Sequence, residues 1–150
     1  MGEVLRLKCS QCSLDETGCR TQAYVLNLEG RRQYCRHPGQ DEHACEILGI
    51  DYDLVVDAMG RQEQGTGYPL PDGTMATAEK FVEYFESRRG VVQGFLCTAC
   101  AKWSELDQER DPLRCVHCRS EGIFKFEELD GRLCPICRKG RITSTLLGIT

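Results

Sequence analysis

Eight of the eleven cysteines in this 150-residue chain fall in four Cys-x-x-Cys pairs: Cys9/Cys12, Cys97/Cys100, Cys115/Cys118 and Cys134/Cys137. A two-residue gap lets both sulfurs of one tight turn face a single ion, while the amides of the turn stabilise the thiolates. Two such turns set face to face make a closed tetrahedral site, the arrangement of structural zinc. The chemistry these residues point to is ligation that holds a fold together, with two or three zinc ions as cofactor.

The spacing leaves the pairing open. Fourteen residues separate Cys100 from Cys115, and fifteen separate Cys118 from Cys134. Both intervals suit a four-sulfur site, yet Cys115 and Cys118 cannot serve two mononuclear ions. The shorter interval favours Cys97/Cys100 facing Cys115/Cys118. Cys134/Cys137 then needs partners, which the Cys9/Cys12 pair, His117, Cys19 or Cys45 can supply. For Cys9 and Cys12, the first candidates are Cys35 and His37, which follow a hairpin at a suitable distance; Pro38 and Gly39 shape the turn that presents His37. Cys45 competes with His37 for the fourth place, and His43 reads as a solvated loop residue.

The segments Phe95-Leu96-Cys97-Thr98-Ala99-Cys100 and Leu113-Arg114-Cys115-Val116-His117-Cys118 resemble the metal knuckles of rubredoxin-like proteins. Leu133-Cys134-Pro135-Ile136-Cys137-Arg138-Lys139-Gly140 is similar to a zinc ribbon, with its Cys-Pro-x-Cys turn and following glycine. The resemblance spans roughly residues 95–142 and implies metal binding. It implies no activity, since zinc ribbons serve many unrelated ends.

The elements that must position these turns read as an α+β fold in three parts. Residues 1–45 form a ribbon-like domain, in which Ala23–Leu28 and Gln33-Tyr34 flank Glu29-Gly30-Arg31-Arg32 as a β-hairpin. Residues 46–93 contain no cysteine and read as helical. Ile47, Leu48, Ile50, Leu54, Val55, Ala58 and Met59 approximate a 3.6-residue period that ends at Gly60. A Gly- and Pro-rich loop covers 62–73. A second helix, capped by Thr74 or Thr77, sets Phe81, Tyr84 and Phe85 on one side and stops at Gly90. These aromatics are expected in the core. Residues 94–150 form a multi-knuckle zinc domain with strands near 91–96, 123–126, 131–133 and 142–147.

Composition narrows the function. The net charge is −4, which argues against a general nucleic-acid coat. Residues 46–93 hold nine acids and four bases, so the acidity lies in the middle. The N-terminus has no apolar leader and no run approaches a membrane span, so a reduced, cytoplasmic protein is expected. An odd cysteine count argues against a disulfide scaffold. The Cys-Pro-x-Cys turn has the form of glutaredoxin-like redox centres. In that family most of the fold comes after the motif, whereas thirteen residues follow Cys137 here and none reads as a long helix. Four-thiolate sites are closed and electron-rich, poor Lewis acids for hydrolysis. The reading is a non-enzymatic, zinc-binding adaptor that meets a protein partner. The alternative is a nucleic-acid-associated ribbon using Arg132, Arg138, Lys139 and Arg141 with Trp103, Phe124 and Phe126. Against it, Glu121, Glu127, Glu128 and Asp130 oppose phosphate, and the rings suit a small ribbon core. A thiol redox protein ranks last.

Overall fold

The structure is a computed structural model that describes residues 2–60 and 66–149. It is an α+β protein that divides into two compact units, Met1–Gln22 with Val91–Thr150, and Ala23–Gly90. These units cut across the divisions expected at 45/46 and 93/94. The first 22 residues belong with the C-terminal third, for reasons that lie in strand pairing and in the cysteines.

In the first unit, β1 (Glu3–Cys9) is the central strand of a three-stranded antiparallel sheet, between β2 (Asp15–Cys19) and β10 (Ile142–Ile149). Leu5 and Leu7 alternate with Arg6 and Lys8, so one face is apolar and the other charged. The register runs from Glu3 opposite Ile149 to Cys9 opposite Ile142, with a bulge between Val4 and Leu5. Pairing of β1 with β10 therefore brings the first knuckle beside the last. The same unit contains all but the first two residues of β7 (Arg89–Cys97), which pairs antiparallel with β8 (Trp103–Leu106) and β9 (Ile123–Lys125). A single 3-10 turn over Phe126–Glu128 follows β9. Leu5, Leu7, Leu14, Leu96, Phe126, Leu129 and Ile142 pack around the Cys134 sulfur as one core. No strand forms at 131–133, where one would be expected. Leu133 makes an isolated bridge to Arg141, because Gly131, at φ 71°, turns the chain instead.

The second unit pairs β3 (Thr21–Leu26) with β4 (Arg32–Tyr34) across the expected hairpin. The Asn27 side chain closes its turn by accepting the amides of Glu29 and Arg31 at 3.0 and 2.9 Å. The first helical stretch is two helices, α1 (Gln40–Leu48) and α2 (Tyr52–Gly60). Gly49 takes a left-handed conformation at φ 67°, and the Ile50 amide returns to the Cys45 carbonyl at 3.1 Å. This glycine-terminated C-cap ends α1 at Leu48, well short of Gly60. Asp51 then restarts the chain, its carboxylate accepting the Asp53 amide at 2.9 Å. His43 lies on α1 rather than in a loop; its Nδ1 accepts the Arg36 amide.

Of the expected 62–73 loop, residues 62–65 lie outside the described residues. The rest includes β5 (Thr66–Pro69), which forms a two-stranded ribbon with β6 (Met75–Thr77). Thr77, one of the two expected caps, accepts the Lys80 amide and starts α3 (Ala78–Arg88). Phe81 and Phe85 are fully buried with Val25, Leu48, Val55 and Tyr68, whereas Tyr84 is half-buried. No helix among the described residues is long and apolar enough to cross a membrane.

Candidate metal centres

Eight cysteines converge into two tetrads. Cys9, Cys12, Cys134 and Cys137 form the first; Cys97, Cys100, Cys115 and Cys118 form the second. Within each, all four sulfurs lie within 4.8 Å of one another. The Cys9 and Cys137 sulfurs stand 3.6 Å apart, and those of Cys12 and Cys134 3.8 Å. In the second tetrad, Cys97 to Cys118 is 3.5 Å and Cys100 to Cys115 is 3.6 Å. A tetrahedral ion with metal–sulfur bonds of about 2.3 Å has sulfur–sulfur edges of about 3.8 Å. Disulfide sulfurs stand about 2.05 Å apart, and all eleven cysteines here are free thiols. The geometry is that of two closed metal sites.

The turns themselves are built for this task. The residue after the second cysteine is left-handed in three knuckles: Ala101 at φ 56°, Arg119 at φ 65° and Arg138 at φ 56°. Each donates its amide to the carbonyl of the first cysteine: Ala101 to Cys97 at 3.0 Å, Arg119 to Cys115 and Arg138 to Cys134, both at 2.9 Å. Further amides point at sulfur. Gln11 donates to Cys9, His117 to Cys115 and Gly140 to Cys137, each at 3.4 Å. Ser104, buried on β8, donates its hydroxyl to Cys115 at 3.9 Å and accepts the Val116 amide at 3.4 Å. Its role has no sequence signal, because it lies eleven residues from the sulfur it serves and belongs to no motif.

The ionisation of these thiols shows what the donor sets require. The amides of Gly140 and Lys139 bring Cys137 down to about 6. At Cys115, burial opposes ionisation, but the amides of Cys118 and His117 overcome it and the thiol also falls to about 6. Their neighbours go the other way. Burial, with the adjoining sulfurs, pushes Cys100 up to about 12 against the pull of the Lys102 amide. At Cys12 the Leu14 amide favours the thiolate, yet burial and the surrounding sulfurs outweigh it and raise the group to about 12. Four sulfurs this close cannot all ionise without a cation among them. A divalent ion supplies that charge and takes up four thiolates, so the residues present fit zinc. All four positions are then filled by protein, leaving none for substrate.

Cys35 and His37 join neither cluster. Cys9 and Cys12 take Cys134 and Cys137 as partners, so the first tetrad is complete without them. Cys35 is buried in the apolar core of the second unit with Cys45. There burial raises Cys35, and it pushes Cys45 up to about 11. His37 lines a shallow surface pocket with Arg36, Glu42, His43 and Glu46. Cys19 and Cys45 are likewise in neither tetrad, and His117 directs its Nε2 to the Trp103 carbonyl at 3.0 Å.

The chain matches no protein-family model, no curated protein and no solved structure.

Proposed function

We propose that this is a zinc-binding protein whose two ions are structural, and that it works as a non-enzymatic module that contacts another protein. The convergence of eight thiols into two closed, tetrahedral tetrads carries the zinc half of this reading. Each tetrad ties two separate turns of the chain to one ion, and a structural zinc ion contributes on the order of 10 kcal/mol in peptide models.

The outer end of β10 supports the contact half. Its first residues are covered: the Gly131 amide bonds the Ile142 carbonyl and Asp130 accepts the Ser144 amide. Beyond them, Leu146, Leu147 and Ile149 are 54%, 54% and 58% exposed on an edge strand with no charged residue. An uncharged apolar edge is a place for a polypeptide strand or apolar side chains to dock. The nucleic-acid alternative draws on Arg138 and Lys139, which are exposed and in no ion pair among the described residues. It loses one ring, since Phe126 is buried against Trp103 at a centroid separation of 5.4 Å.

Two surface variants separate the readings. Leu146→Ser with Leu147→Ser should retain two zinc ions and lose the protein partner recovered by the parent chain. Arg138→Glu with Lys139→Glu should keep that partner. Salt-dependent binding of RNA or DNA that the second variant abolishes would favour the alternative, and an unaltered partner in the first would contradict the adaptor reading.

A further inference from the structure

The second unit contains a cleft of about 340 Å³, lined by Leu28, Leu70, Pro71, Asp72, Tyr84 and Arg88. Two turns, each closed by its own hydrogen bonds, contribute to its lining. In one, Asn27 and Arg31 are bonded backbone to backbone at 2.9 Å, which displays Leu28 at 58% exposure. In the other, the Leu70 amide bonds the Thr74 carbonyl, and Asp72 accepts the Thr74 amide and hydroxyl at 2.9 and 2.6 Å. Tyr84 and Arg88 come from α3, one turn apart. The Arg88 guanidinium lies 5.2 Å from the Tyr84 ring centroid and donates from Nη1 to the Asn27 carbonyl at 2.7 Å.

Arg88 is thus part-buried and oriented, yet it makes no ion pair with any described residue. Asp72 lines the same cleft, and the two opposite charges do not close on each other. A cation fixed in place with no counter-ion among the described residues, an anion held by its own turn and an apolar wall together describe a complementary ligand. It has a carboxylate for Arg88, an ammonium group for Asp72 and an apolar body for Leu28, Leu70 and Pro71. Arginine pairs well with carboxylates, and the volume is at the small end of ligand pockets. We propose that this cleft binds an apolar α-amino acid as its zwitterion. The preformed turns keep the ordering cost of binding low.

Titration of the full, zinc-loaded chain with L-leucine, followed by amide and side-chain NMR, tests this. Saturable shifts at Leu28, Leu70 and Arg88 are expected. N-acetyl-L-leucine and L-leucinamide each lack one charge, and glycine lacks the apolar body, so all three should bind more weakly. Arg88→Gln should weaken leucine binding about tenfold or more, the scale of losing a charge-assisted hydrogen bond. Leu28→Ser, at an exposed position, should keep the fold and also weaken binding, which guards against an Arg88 variant that fails to fold. The proposal is overturned by the absence of a saturable response, by N-acetyl-leucine binding as well as leucine, or by wild-type affinity in a folded Arg88→Gln or Leu28→Ser protein.

Discussion

Gly140 shows how much of the first tetrad depends on one residue. A Cβ there would meet the Cys9 sulfur and lie 2.8 Å from the Gln11 amide nitrogen. Overpacking of this kind costs about 1–3 kcal/mol, and here it falls on a ligand. Gly140→Ala is expected to weaken zinc binding at the first tetrad about 10–100-fold in chelator competition and to leave the second tetrad unchanged; parental affinity at both tetrads would be the contrary result. Ser104→Ala removes the hydroxyl that faces Cys115 and leaves the Val116 amide without its acceptor. Competition with a chromogenic chelator should show affinity at the second tetrad reduced about 10–100-fold, the usual effect of losing a group that orients a ligand. Cys45 carries a pH dependence. Its thiol is raised to about 11 from an ordinary value of 9.0, so above pH 9 the unfolded chain loses this proton while the folded chain keeps it. Its stabilising effect is therefore full below 9 and is lost as pH rises from 9 toward 11. Cys45→Ala should flatten that part of the alkaline stability profile. At this scale the ligands themselves are legible in the sequence, because a Cys-x-x-Cys turn is local. Their partners are not, since Cys9 and Cys137 stand 128 positions apart and nearly equal spacings suit rival pairings.

Elements were legible where their periodicity is unbroken. The α3 aromatics and the β3–β4 turn follow from spacing and turn chemistry alone. Strand β1 is harder to see because Val4 and Leu5 are successive apolar residues, and that break in alternation falls at the bulge. The α1–α2 boundary hides inside an apolar pattern that runs through Gly49, and only the left-handed cap ends the helix there. These elements carry their units through buried side chains. Leu7, fully buried at the centre of the first unit, should cost about 2–5 kcal/mol when cut to alanine. Phe81→Ala should cost about 3–5 kcal/mol in the second unit. Hydrogen exchange resolved by segment should place the first loss in residues 1–22 and 91–150, and the second in 23–90. Equal loss of protection across both segments in either variant would contradict two separate cores.

At the scale of the whole molecule, the described metal centres belong to one unit. Both tetrads lie in residues 1–22 and 91–150, while 23–90 has a core of Val25, Leu48, Val55, Phe81 and Phe85. Chelation should therefore deprotect the first segment set far more than the second, and readdition of zinc should reverse it. A chain that exchanges no faster anywhere after complete metal removal would show that the ions are not structural. The two-site arrangement is read most directly from which sulfurs share an ion. In protein loaded with cadmium-113, each metal nucleus correlates through bonds with the β-protons of its own cysteines. Two metal signals are predicted, one correlated with Cys9, Cys12, Cys134 and Cys137, the other with Cys97, Cys100, Cys115 and Cys118. A single signal connecting Cys115 and Cys118 with Cys134 and Cys137, or any correlation to Cys35, would contradict it.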